Sequence, residues 1–256
     1  MLLRNNPFSR DRDLVEVTDG IHLLGTHRVN FYVIEEGASI TLVDCGFQGH
    51  RRYLDRWLAA RGKSIANIEA IILTHGHQDH VGFAEQLRAR GIPVYMHPAD
   101  DHYLRGVTLR MPPQRLLRSL WRPTAMSLLL EAAGDGVFSQ PELGAYEPII
   151  PGEYIDVPGR PFVVPVPGHS PGSVAFHLPD RGVLFTGDAL MTRDPFFGGE
   201  DRALVFADHT DRNEACLDAL SAFDSYADAA LLPAHGDAWT APGSVGRAVA
   251  DAVIAC

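Results

Sequence analysis

Residues 70–80 read Ala70-Ile71-Ile72-Leu73-Thr74-His75-Gly76-His77-Gln78-Asp79-His80, an apolar run of strand length that breaks into a polar turn. Three imidazoles and a carboxylate within six residues exceed what packing explains, and these side chains are the usual ligands of divalent transition ions. His75 and His77, two apart in an extended segment, can turn toward one centre. Asp79 and His80 lie where the chain begins to coil into a following helix, so they can serve a second centre close by.

Working outward, residues 14–24, 29–37 and 38–46 read as successive short strands rich in β-branched and aromatic residues, an antiparallel meander. From Gln48 to Arg61, Tyr53, Leu54, Trp57 and Leu58 fall at helical spacing, and Gly62 follows as a cap. Residues 81–91 predict a helix and 92–98 a strand. The second half repeats the grammar: strands over 153–159, 162–170, 173–179 and 182–190, a helix around Asn213 to Phe223, and a last strand over 227–237. Strand-rich halves punctuated by helices predict an α+β fold, two sheets face to face with helices outside, as one domain over 1–256.

His169, Asp188 and His235 stand in the segments PGHSPGS, FTGDAL and PAHGD, each where a predicted strand gives way to a glycine-containing loop. That shared context puts all three on one edge of the sheets, where a rigid scaffold commonly presents reactive groups. His22, His27, His50, His102 and His177 lack such a context and read as ordinary core or surface residues.

Between the halves, residues 103–136 carry Arg105, Arg110, Arg115, Arg118 and Arg122 among Leu109, Leu116, Leu117, Leu120 and Trp121, broken by Pro112, Pro113 and Pro123. Short amphipathic helices follow from this pattern. They are either a solvated basic face packed on the core or a lid offering apolar contacts and an arginine to an anionic or acyl substrate. A homodimer contact is a third use of the same apolar residues.

The 256 residues are 46% hydrophobic, enough for a sizeable core, and the net charge of −10 argues against a nucleic-acid partner. No segment approaches the roughly 18 apolar residues of a membrane span, and residues 1–13 lack the apolar core of a secretory signal, so a cytoplasmic location is expected. Cys45, Cys216 and Cys256 form neither a paired framework nor a CxxC site; Cys45 matters most because it lies in a candidate site loop.

The motif His75-Gly76-His77-Gln78-Asp79-His80, followed in order by His169, Asp188 and His235, resembles the metallo-β-lactamase superfamily, in its glyoxalase-II-like and lactonase-like branch. The resemblance runs from the strands after Leu14 to the loop at His235 and includes Asp44 in LVDCG. It implies a four-layer αββα sandwich with a helical insertion, holding two divalent ions, usually zinc, with iron and manganese in relatives. By analogy His75, His77 and His169 hold the first ion, Asp79, His80 and His235 the second, and Asp188 bridges them. Asp44 then orients a ligand histidine from behind.

Such a pair acidifies a shared water, and the resulting hydroxide cleaves an ester, thioester or lactone-type bond of a small molecule. Asp79 is the residue placed to orient that hydroxide and carry its proton, with His97 and His209 as weaker candidates. Arg193, Phe196 and Phe197, just past Asp188, are candidate pocket residues. True β-lactamases of the superfamily generally lack the bridging aspartate. The lactonases commonly carry a tyrosine shortly after it, absent from residues 188–197 here, and glyoxalase II has a C-terminal helical domain where this chain has 21 residues after His235. The alternative is an iron-dependent oxidoreductase of the same fold, similar to the persulfide dioxygenases, with a phosphodiesterase or nuclease behind it.

Overall fold

The computed structural model describes residues 15–26, 28–105, 134–136, 143–194 and 214–255. Most of the 103–136 insertion, together with His27, Phe196, Phe197, His209 and Cys256, lies outside the described residues.

Strands β1 (Val15–Thr18), β2 (Ile21–Gly25), β3 (Asn30–Glu36) and β4 (Ser39–Val43) form the antiparallel meander that their β-branched and aromatic residues predict. A 3-10 turn at Gln48–His50 leads into helix α1 (Arg51–Ala60), which buries Tyr53, Leu54, Trp57 and Leu58. Strand β5 (Ile68–Ile72) pairs parallel to β4, β6 (Val94–Met96) parallel to β5, and β7 (Glu147–Pro148) parallel to β6, giving a seven-stranded sheet in sequence order. Strands β8 (Phe162–Pro165), β9 (Val174–Leu178), β10 (Val183–Gly187) and β11 (Ala230–Pro233) form the second sheet, in which β10 and β11 run parallel.

The period-two alternation of the strands explains the layering. Phe31, Val33, Ile40, Leu42 and Ile71 face outward from the first sheet onto Trp57, Leu58 and Leu87. Their neighbours Tyr32, Ile34, Val43 and Ile72 face inward and meet Val163, Phe176, Phe185 and Leu232 of the second sheet. On its far side, Val164, Ala175, Leu184 and Leu231 pack against Cys216, Leu220, Phe223, Val245, Ala248 and Ala252. The three apolar layers bind helix, sheet, sheet and helix into the αββα sandwich, and each large buried side chain contributes about 1.5–3 kcal/mol.

The local expectations that fail do so for visible reasons. The segment 153–159 makes only an isolated bridge, Tyr154 to Phe162, because Pro158 and the turn after it interrupt any ladder. The helix expected over 81–91 shrinks to α3 (Ala84–Arg88), and a separate four-residue helix, α2 (Gln78–Val81), precedes it across Gly82 and Phe83. The helix expected near 213–223 is α4 (Glu214–Ala219) continued by a 3-10 segment, Leu220–Tyr226. A further helix, α5 (Ser244–Ala255), went unpredicted although Val245, Ala248 and Ala252 mark its buried stripe. Among the described residues, no helix is long and apolar enough to cross a membrane.

Candidate metal centre

Strands β4, β5, β10 and β11 deliver their following residues to one edge of the sandwich. Asp44 directly follows β4, His75 follows β5 by three residues, Asp188 directly follows β10, and His235 follows β11 by two. His169 occupies the turn between β8 and β9, and Asp79 and His80 sit in α2, which starts right after His77. At this edge the sheets are tied directly: the Asn30 amide donates to the Ala234 carbonyl at 2.7 Å and the Val174 amide to the Thr74 carbonyl at 2.9 Å. The Asn30 side chain adds bonds to the Pro233 and Gly236 carbonyls at 2.9 and 2.7 Å.

All seven predicted ligand residues converge. Three sets have ligating atoms within 4.8 Å of one another: His75, His77 and His169; His75, His80 and Asp188; and Asp79, His80 and His235. In the first set His77 Nδ1 lies 3.0 Å from His75 Nε2 and 2.9 Å from His169 Nε2. Two ligands about 2.1 Å from one tetrahedral ion stand about 3.4 Å apart, so these nitrogens would spread by a few tenths of an ångström to hold one. The Asp188 carboxylate lies among the sets. Its Oδ1 is 3.1 Å from His235 Nε2 and 3.4 Å from His80 Nε2, while its Oδ2 is 3.4 Å from His169 Nε2. Asp79 closes the more open side, with its carboxylate 3.7 Å from His80 Nε2 and 3.6 Å from His235 Nε2, and its side chain 26% exposed.

The partners behind the imidazoles set which nitrogen carries the proton. Asp44 only accepts, so His80 Nδ1–H must donate to it, at 3.0 Å. The Arg28 carbonyl likewise accepts from His235 Nδ1–H at 2.5 Å. The Thr74 hydroxyl donates to Asp44 at 2.9 Å, which leaves it to accept from His75 Nδ1–H at 3.1 Å. In its neutral form each of these rings therefore turns a bare Nε2 to the centre, the nitrogen with which it would hold an ion. His80 Nε2 is fully buried and has no hydrogen-bond partner, so the fold leaves a lone pair there for an ion to take up.

Electrostatics agree with this polarity. Burial, reinforced by the neighbouring imidazoles of His80 and His77, pushes His75 well below the usual histidine range. Burial acts the same way on His80, but the Asp188, Asp44 and Asp79 carboxylates overcome it and hold His80 well above that range. Burial is likewise outweighed by Asp188 at His235, which rises to about 8. Asp188 resists the upward push of burial because His235, His80 and His169 hold it well below the usual carboxylate range. The cluster thus draws positive charge into a buried place.

The remaining histidines divide as their contexts suggest. His22 bonds Glu35, His50 bonds Asp135, and His102 bonds the Ala99 carbonyl. His97 accepts from the Ala99 amide at 3.2 Å and so serves its own turn. Cys45 and Cys216 are free and buried; burial, and then the charge of Asp44, pushes the Cys45 thiol well above its usual range and keeps it protonated. Arg193 flanks the centre, since the Thr192 amide beside it donates to the His235 carbonyl at 3.1 Å. Thr74 and the Arg28 carbonyl are the contributors that sequence reasoning missed.

A family model described as the metallo-beta-lactamase superfamily matches residues 24–235. This chain belongs to that superfamily. It is 28% identical over 196 residues to "Probable metallo-hydrolase YflN" of Bacillus subtilis, an alignment covering 69% of this chain and 66% of YflN. It is 39% identical over 127 residues to a hydroxyacylglutathione hydrolase of Cereibacter sphaeroides, covering 49% of this chain and 35% of that one. Among solved structures, TTHA1623 in a di-iron-bound form is 27% identical, with a TM-score of 0.58 over 91% of this chain and 98% of its own. Superfamily members are metal-dependent, and the histidine and aspartate clusters here are able to bind metal.

Proposed function

We propose that this chain is a dinuclear metal-dependent hydrolase acting on an ester, thioester or lactone-type bond of a small molecule. The observation that carries the reading is the position of Asp188: one carboxylate stands 3.4 Å or less from nitrogens of His169, His80 and His235, and so reaches both the His75–His77–His169 set and the Asp79–His80–His235 set. Imidazole and carboxylate ligands suit zinc and also accommodate iron or manganese. The di-iron form of TTHA1623 supports a pair of ions on this fold.

Two divalent ions held there supply Lewis acidity and a water acidified to near neutral pH. The chain's own residues do the rest. Asp188 keeps the two halves in register, and Asp44, Thr74 and the Arg28 carbonyl hold three rings with their lone pairs inward. Asp79, the more exposed carboxylate, accepts the hydrogen bond of the attacking water and carries its proton away. Arg193, at the rim, meets a carboxylate or acyl oxygen of the substrate.

The test is metal content per chain in freshly purified protein, with hydrolysis of thioesters, lactones and phosphodiesters, repeated on Asp188→Ala. Two zinc per chain and hydrolysis abolished by the substitution support the reading. One iron per chain, no hydrolysis and oxygen consumption on a persulfide would replace it with the oxidoreductase.

A further inference from the structure

Asp100 is fully buried, lies outside the ligand clusters, and stands in the 3-10 segment Pro98–Arg105. Its carboxylate accepts three hydrogen bonds: from the Gly76 amide at 2.9 Å and the Ser170 hydroxyl at 2.7 Å on Oδ2, and from the Gly172 amide at 2.7 Å on Oδ1. Gly76 sits between His75 and His77, while Ser170 and Gly172 follow His169. The two loops that one carboxylate joins therefore carry all three imidazoles of one metal half-site, and they come from different sheets.

The contact is built into the backbone. A Cβ on Gly76 would lie 3.0 Å from the Asp100 Cβ and carbonyl oxygen, and one on Gly172 would lie 2.7 Å from the Asp100 Cγ. Each loop places a glycine where its amide reaches the carboxylate. The hydrogen-bond direction is also fixed. Ser170 Oγ–H is committed to Asp100, so Ser173 Oγ–H, 2.7 Å away, donates to Ser170 Oγ, and Ser173 Oγ accepts in turn from the Ser170 amide at 3.0 Å. Every donor near Asp100 points at it, and an acceptor-only group is the one side chain that satisfies them all.

Resting on the dinuclear reading above, we infer that Asp100 is the positioning residue of the His75–His77–His169 half-site: it fixes the distance between the loop of His75 and His77 and the loop of His169. The other half-site is held differently, with His80 on Asp44 and His235 on the Arg28 carbonyl. Loss of Asp100 therefore weakens one half-site and leaves the other. The direct bond from the Val174 amide to the Thr74 carbonyl remains in place and keeps the loops near one another, so the consequence is looser ligand geometry in a folded chain.

The experiment is stepwise cobalt(II) titration of the metal-free full chain, followed by absorption spectroscopy and chelator competition, on the wild type, Asp100→Asn, Ser170→Ala and Asp44→Asn, with circular dichroism and thermal melting on each. Asparagine at 100 must present an N–H to at least one of the loop donors. For Asp100→Asn we expect one cobalt step weakened about 10–100-fold with an altered d–d band and the second step unchanged, with a smaller shift of the same step in Ser170→Ala; Asp44→Asn should weaken the other step most, since Asp44 holds His80 directly and His75 only through Thr74. If Asp100→Asn does not fold, Ser170→Ala decides by the same criterion. Wild-type affinity and spectrum at both steps, or equal weakening of both, overturns the assignment of Asp100 while leaving the dinuclear reading intact. A wild type that binds no pair of ions overturns both.

Discussion

Asp44→Asn separates a residue that shapes a turn from one that prepares a ligand. Asp44 has a φ of 61°, a left-handed conformation that asparagine also tolerates, so the substitution leaves the backbone undisturbed. The aspartate accepts from the Thr74 amide at 2.8 Å, the Thr74 hydroxyl at 2.9 Å and His80 Nδ1–H at 3.0 Å. The amide oxygen of asparagine can keep the first bond. Its NH2 must then face His80, whose proton has to leave Nδ1 for Nε2, where it masks the lone pair that points at the centre. Loss of a charge-assisted bond costs about 1.5–3 kcal/mol of stability. Removal of a partner behind a metal ligand weakens affinity about 10–100-fold, or about 1.4–2.8 kcal/mol. Chelator competition measures the affinity and thermal melting, with and without metal, the stability. Asp44→Gly is the control: it suits the left-handed turn but makes none of the three bonds, and we expect its affinity to fall as far or further. Wild-type affinity in Asp44→Asn, or affinity retained in Asp44→Gly, refutes the tautomer argument and reduces Asp44 to a turn residue.

Trp57→Ala, on the face of α1 that packs against the first sheet, empties a fully buried site and should cost about 3–5 kcal/mol in urea unfolding, while the protein that remains folded binds its full complement of metal. His22, whose ring bonds Glu35 through Nε2 at 3.0 Å and meets Arg61 through Nδ1 at 3.2 Å, is held below the usual histidine range by burial and then by the Arg61 charge. The unfolded chain therefore binds this proton more tightly, so the contribution of His22 is fully present above pH 6.5 and is lost as pH falls below it toward the folded value. Urea midpoints of the wild type and His22→Gln between pH 7.5 and 5 should converge as the pH drops; parallel curves would show that His22 does not titrate in that window.

The fold was legible where successive residues alternate between two apolar layers. Strands β2 to β5 and β8 to β11 carry inward and outward residues in step with the pleat, and Tyr53, Leu54, Trp57 and Leu58 mark α1 in the same way. Failures cluster where tertiary contact outweighs local pattern. The strand-like residues of 153–159 find no continuous partner. Helix α5 has a stripe of valine and two alanines, Val245, Ala248 and Ala252, too small to announce an amphipathic face in sequence although it packs on the second sheet. Strand β7 is two residues long and exists by virtue of its pairing with β6.

The same division governs the site. The candidate ligands stand out in the sequence because coordination chemistry restricts residue type: few roles other than metal binding place His75, His77, Asp79 and His80 together at the end of an apolar strand. What stands behind the ligands carries no such restriction. His235 is oriented by the main-chain carbonyl of Arg28, which every residue type offers, and His75 by the hydroxyl of Thr74, one common residue among many. Asp100 is harder still, because its meaning lies in touching Gly76 and Gly172 at once, two loops 96 residues apart in sequence that meet after both sheets have formed. A sequence can therefore display which atoms would hold an ion while concealing what fixes their spacing, and on the proposed reading it is the spacing, through which one Asp188 carboxylate reaches both halves, that would join two histidine clusters into one centre.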